Sequence, residues 1–303
     1  MKSFLILSLC WAPFLCFSGE TGLVLLRSDQ IELPESIGRE TIAVIERTID
    51  TLLETQEEDG LWKDRNSIPS AVLGVRNSPD PLQLQALTEV EKNVSRPWQA
   101  DDVRNASFVL LGAARVGLSP SPALLEHLSR ANLDDLSPAD CAIAILAMDA
   151  FGIPTRKRWE RLAQRPLPPE NTLSSVAAAA LARWASHPGS LRSPRPDVLA
   201  HVRWLAARIS LGFVGQVPPP DPNCPLDPEN AFLIAVLANS IPRQLLADPK
   251  NALFPYNWKN HLANRVISLQ KCDDDGNYYW EGPRSTLENT TLAVLALQLL
   301  SVR

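Results

Sequence analysis

Along the chain, stretches in which apolar and polar residues alternate at helical spacing are each followed by a run that is apolar on nearly every side. The first clear instance begins near Ile37. Ile42, Ile45, Ile49, Leu52 and Leu53 fall on one helical face, with Glu40, Glu46, Arg47 and Asp50 on the other. Its partner, Pro69 to Val75, is a short apolar helix. Five more pairs follow. Amphipathic segments at Leu82 to Val94, Pro122 to Ala131, Arg156 to Gln164, Asp197 to Ser210 and Lys259 to Leu269 precede apolar ones at Asp102 to Val116, Ala139 to Phe151, Leu173 to Ala185, Asn230 to Asn239 and Glu288 to Val302. A helix without a polar face must be surrounded, so the apolar members are expected inside and the amphipathic members outside.

The apolar runs open on small or polar residues: Ser70, Asn105, Asp140, Asn171, Asn230 and Asn289. Their steps of about 35, 35, 31, 59 and 59 residues mark a repeat made of helix pairs. The long steps hold insertions, one of them a loop whose Pro218, Pro219, Pro220, Pro222, Pro225 and Pro228 exclude a helix. The expected fold is all-α: an α/α toroid of six helical hairpins, with an inner ring of apolar helices and an outer ring of amphipathic ones, in one domain over 36–303. An open solenoid is the other arrangement the pairs allow. In antiparallel pairs all inner helices run the same way, so their starts should gather at one mouth.

Residues 1–18 carry Lys2, an apolar run from Phe4 to Phe17 and then Ser18, the layout of a secretory signal peptide. An irregular arm over 19–35 follows, and no later segment is long and apolar enough to be read as a transmembrane span. The expected location is therefore outside the cytoplasm, periplasmic or secreted. There are 29 Lys and Arg against 34 Asp and Glu, without basic clusters, which argues against nucleic acid as a partner. Cys141, Cys224 and Cys272 remain beyond the leader; this odd number leaves at most one disulfide. Cys141 lies within an apolar helix, where a thiol acts as a small hydrophobe. The sequons at Asn93, Asn105 and Asn289 matter only in a eukaryotic secretory pathway, and the last two sit at starts of buried helices.

Two turn motifs stand out: Gln56-Glu-Glu-Asp59-Gly60-Leu-Trp62, and the looser Gln270 to Trp280, which contains Gly276 and leads into ENTTLAVLALQLL. Together they resemble the repeats of the squalene–hopene cyclase and protein prenyltransferase superfamily. The resemblance implies the toroid, with Gln56 and Gln270 at helix ends, Asp59 with Gly60 and then Gly276 making the turn, and Trp62 wedged between units. These parts stiffen the repeat and do no chemistry.

For a cyclase of this kind the resemblance implies an Asp-x-Asp-Asp motif that protonates a polyene. The nearest strings, Asn132-Leu133-Asp134-Asp135 and Cys272-Asp273-Asp274-Asp275, each lack the first Asp. Asp134, Asp135, Asp140, Asp274 and Asp275 are the acids left as catalytic candidates, against the plainer reading of polar turns. A prenyltransferase would hold zinc through Asp, Cys and His. Asp140 and Cys141 are adjacent, but His127, His187, His201 and His261 show no ligand spacing, so neither a metal nor a cofactor is expected. Asp273 to Asp275 offer a calcium reading as well, which the plainer solvated turn outweighs. A thioester Cys-x-Glu-Gln and a Gly-x-Ser-x-Gly elbow are both missing from the sequence.

The mouth itself is the candidate binding surface: Asn105, Asp140, Asn171, Asn230 and Asn289, with Glu170, Glu229, Glu288, Asp101, Asp102 and Asp227 beside them. Singly, such residues cap helices and oppose the dipole. As a set, with Trp62, Trp98, Tyr278, Tyr279 and Trp280 in adjoining loops, they suit a sugar, and two acids at the right separation would cleave a glycosidic bond. The expected function is a ligand- or partner-binding scaffold for a small hydrophobic molecule, a carbohydrate or a protein. The alternative is an enzyme, either a divergent isoprenoid cyclase or prenyltransferase-like protein, or a carbohydrate-active lyase or glycosidase.

Overall fold

The computed structural model describes residues 33–57, 61–63, 68–76, 81–92, 97–166, 173–186, 200–201, 204–205, 226–240 and 258–301. The leader, nearly all of the arm, most of Asp197 to Ser210, the proline-dense loop up to Pro225, Asp59, Gly60, Glu170, Asn171, His187, Cys224 and the Asn93 sequon lie outside these residues.

The described chain is all-α apart from one small hairpin. The elements in order are α1 (Glu35–Glu54), a 3-10 helix η1 (Ile68–Arg76), α2 (Pro81–Lys92), α3 (Ala100–Arg115), α4 (Pro122–Arg130), α5 (Pro138–Ala150), α6 (Arg156–Gln164), α7 (Leu173–Ala185), α8 (Pro228–Ser240), α9 (Trp258–Ser268), β1 (Lys271–Cys272), β2 (Tyr278–Tyr279) and α10 (Thr286–Ser301). Among the described residues no helix is long and apolar enough to cross a membrane.

The two classes of helix separate by burial. α5 is buried at every position from Ala139 to Ala150, α8 from Pro228 to Ser240, and α10 from Glu288 to Leu300. In α4 and α6, by contrast, only Leu124 and Leu128, and Trp159 and Leu162, are buried. The buried segments touch in sequence, η1 on α3, α3 on α5, α5 on α7, α7 on α8 and α8 on α10, and α10 packs back on η1. Around them α1 lies on α9 and α10, α2 on η1 and α3, α4 on α5, α6 on α7, and α9 on α10.

One contact in this series depends on a missing side chain. A Cβ at Gly112 would stand 2.8 Å from the Ala71 Cα and 3.0 Å from the Ser70 carbonyl oxygen, so α3 and η1 meet backbone to backbone. At the C-terminal ends of the buried helices, Arg115 donates to the Ala71 carbonyl and to the Gln298 side chain, while Gln298 Nε2 donates to the Val72 carbonyl at 3.0 Å. Burial lowers the Arg115 guanidinium to about 10.

The face of α1 differs from the one its sequence suggests. Ile42 is 39% exposed, and Thr41 and Thr48 take inward positions beside Val44, Ile45, Ile49 and Leu52. The threonines tolerate burial because each hydroxyl donates within its own helix, Thr41 to the Ile37 carbonyl and Thr48 to that of Val44. α5 is followed by Phe151 and then Gly152, whose φ of 71° is the left-handed conformation that glycine adopts readily at a helix end.

Candidate functional site

The starts of α3, α5, α8 and α10 are joined by a buried ion network. Asp140 in the first turn of α5 receives Arg284, from the loop before α10, at 2.7 Å and Arg104 of α3 at 3.2 Å. Arg284 also binds Glu229 of α8, and Arg104 reaches Glu288 of α10 at 3.5 Å and Asp101 of its own helix at 3.2 Å. Asp140, Glu229 and Glu288 are each less than a tenth exposed. Burial by itself would raise the Asp140 carboxyl, but Arg284 and Arg104 outweigh it and hold that group below the usual carboxylate range. Arg284 is likewise opposed by burial and held above its ordinary value by Glu229 and Asp140.

Three of the predicted mouth residues therefore come together, but as partners of two arginines. Arg104 and Arg284 escaped the sequence reading. The signal was present, because a cation in the second turn of a largely buried helix, as Arg104 is in α3, needs an acid facing it.

The described asparagines of the set make local hydrogen bonds. Asn230 and Asp227 form a reciprocal cap at the start of α8, Asn230 N–H donating to Asp227 Oδ1 at 2.9 Å and Asp227 N–H to Asn230 Oδ1 at 3.1 Å. Asn289 Nδ2 donates to the Arg284 carbonyl at 2.7 Å, fixing the loop that carries the arginine. Asn105 Nδ2 donates to the Asp101 carbonyl at 3.1 Å. Asp227 is the exception electrostatically: burial raises its carboxyl to about 6, against the Asn230 hydrogen bond and with Glu229 adding to the rise.

The other acid candidates are surface turns. Asp134 and Asp135 are exposed; Asn132 binds both, and Arg165 pairs with Asp134 at 3.2 Å while donating to the Leu133 and Leu136 carbonyls. Asp274 and Asp275 are exposed in the β1–β2 turn, where Gly276 has φ 87°. Asp273 organises that turn by accepting from the Asp275 and Asn277 backbone N–H groups and from Asn277 Nδ2. Among the described residues no group of three His, Cys, Asp or Glu side chains is placed to hold a metal ion. Cys141 is buried, and burial pushes its thiol up to about 11.

The described parts of the two turn motifs share one hydrogen bond. Trp62 Nε1 donates to the Leu52 carbonyl near the end of α1, and Trp280 Nε1 donates to the Val266 carbonyl near the end of α9, both at 2.7 Å. Both indoles are buried, and each is a donor to a carbonyl near a helix end. Gln270 reaches across to α1, where its side chain receives Arg47 and donates to Thr48 Oγ1 at 3.0 Å. The Arg47 guanidinium also lies 4.5 Å from the Tyr278 ring centroid.

Between these motifs is a pocket of about 560 Å³, bounded by the end of α1, Trp62 and Lys63, the β1–β2 hairpin and the start of α10. Of the aromatics singled out in sequence, Trp62, Tyr278 and Tyr279 border it; Trp98 instead packs edge-on against His127. The chain matches no protein-family model, no curated protein and no solved structure.

Proposed function

We propose that this protein is an exported ligand- or partner-binding scaffold, built as an α/α toroid of six helical hairpins like those of the squalene–hopene cyclase and protein prenyltransferase superfamily. The cycle of contacts from η1 through α3, α5, α7, α8 and α10 back to η1 supports the toroid. The pairing of Arg284 and Arg104 with Asp140, Glu229 and Glu288 carries the functional part. An acid that protonates a substrate must be held in its neutral form, and salt bridges to arginine hold Asp140 ionised instead. The decisive experiment is a thermal-shift screen of the mature protein against isoprenoid alcohols and oligosaccharides, with product analysis on every hit. A rise in Tm without turnover supports a scaffold; turnover of any hit rejects it.

Export rests on the residues 1–18 pattern. Processing of the full chain in a secreting host should leave Gly19 as the first residue of the released protein, and retention of an uncut chain would reject it.

A second reading, a divergent cyclase or a carbohydrate-active lyase or glycosidase on the same ring, draws its support from Asp227. A carboxyl raised to about 6 beside a cluster of ion pairs has the protonation behaviour of a general acid. Turnover that is lost in Asp227→Asn while binding persists would favour this reading.

A further inference from the structure

We infer that the pocket between the first and last turn motifs binds a neutral polyhydroxylated ligand, a pyranose unit of an oligosaccharide. The inference rests on the scaffold reading and names its ligand class. The pocket's volume of about 560 Å³ falls within the range of small-molecule sites.

Charge selects against ions. Asp273 and Glu281 line the pocket together with Lys63, and Lys271 pairs with Glu281 from outside it. Among the described lining residues two carboxylates face one ammonium, and Lys271 pairs with one of those carboxylates, so neither sign is in large excess there. The same groups select against a wholly apolar guest. A polyprenyl chain filling this space would strip water from the Asp273 carboxylate and the Lys63 ammonium without replacing its hydrogen bonds.

What remains is a mixture of ring faces and hydrogen-bonding groups. Tyr279 lies on the pocket wall half-buried, and neither its hydroxyl nor the side chains of Lys63 and Thr286 make a hydrogen bond within the described chain. The Asp273 carboxylate, by contrast, is fixed by three hydrogen bonds from Asp275 and Asn277, which set its remaining acceptor capacity in one orientation. One Nδ2 hydrogen of Asn277 goes to Asp273, leaving the second N–H to donate and the carbonyl oxygen to accept. A pyranose offers matching features, an apolar C–H face to lie on an aromatic ring and a rim of hydroxyls that both donate and accept. The walls come from both ends of the sequence, so a guest would tie α1 and Trp62 to the hairpin before α10.

The test measures binding of cellotriose, maltotriose, mannotriose and chitotriose to the mature protein by calorimetry, with farnesol as the isoprenoid arm. At least one trisaccharide should bind, and Tyr279→Ala and Lys63→Ala should each weaken it by about tenfold. Lys63 is exposed and makes no hydrogen bond or ion pair among the described residues, so its variant keeps the test decisive if Tyr279→Ala fails to fold. Trisaccharide binding that both folded variants leave unchanged overturns the pocket. Binding of farnesol alone overturns the inference and leaves the scaffold standing. Binding of neither class overturns the inference and leaves a protein partner as the form of the scaffold reading still standing. Cleavage of a trisaccharide that depends on Tyr279 upholds the site and rejects the scaffold.

Discussion

The guanidinium of Arg284 lies 2.7 Å from the carboxylate of Asp140, and the same group binds Glu229, so one side chain joins the starts of α5 and α8 from the loop that begins α10. The side chain of Arg284 is only 9% exposed. Removing one partner of a buried pair leaves the others charged and uncompensated. Arg284→Met should therefore lower unfolding stability by about 3–5 kcal/mol at pH 7, read from urea denaturation. Arg284→Lys should restore only part of the loss, because a single ammonium cannot reproduce the guanidinium fork.

Asp227 and Asp140 should give opposite pH dependences. The folded-state carboxyl of Asp140 is depressed, so its stabilisation is present above the ordinary carboxylate range and fades as pH falls through its folded value. Asp227 is raised from 3.8 to about 6, which favours the folded state at low pH and weighs against it as pH rises across that window. Asp227→Asn keeps a good capping residue and removes the charge. The variant should match the parent near pH 4 and exceed it by about 1–2 kcal/mol at pH 7 to 8, the shift being discounted for partial exposure. Equal stability of the two proteins across the range would count against the raised carboxyl.

The equal 2.7 Å bonds from Trp62 to Leu52 and from Trp280 to Val266 predict equal penalties. Trp62→Phe and Trp280→Phe keep most of the apolar contact but remove one of two donors to each carbonyl, leaving the Thr55 hydroxyl on Leu52 and the Leu269 backbone N–H on Val266. Each should cost about 0.5–1.5 kcal/mol in denaturant titrations, the worth of one hydrogen bond. A large difference between the two would mean that the motifs are not equivalent parts.

Cysteine reactivity should divide by burial. Cys272 is exposed, whereas Cys141 is buried with its thiol pushed up to about 11. Alkylation of the native protein followed by peptide mapping should label Cys272 within minutes and Cys141 only on unfolding, because the thiolate is the reacting species.

Helix positions were legible in the sequence because burial leaves a one-dimensional trace. The segments Arg156 to Gln164 and Leu173 to Ala185 coincide with α6 and α7, and the other described segments shift by a residue or two at their ends. The rotation of α1 was harder to read, since a threonine whose hydroxyl bonds its own helix can replace an isoleucine at the buried face. The rim acids were visible, but their use was not. Whether a carboxylate is free or paired depends on a cation from another unit, and Arg284 meets Glu229 only when distant segments are brought together. The seam pocket was equally hidden, for its walls are drawn from the end of α1 and from a two-residue hairpin with too few positions to show periodicity. Tyr278 and Tyr279 carried the remaining signal, being polar-tipped aromatics beside an Asp-Gly turn.

The hold of Gln270 and Tyr278 on α1, with α10 packed on both α1 and η1, has a consequence for biosynthesis. α1 leaves the ribosome long before α9 and α10, on which it sits, so a growing chain must carry an oily flank uncovered until those later helices are made. Removing α10 should therefore unsettle α1 as well, and a protease should find α1 as readily as the cut itself.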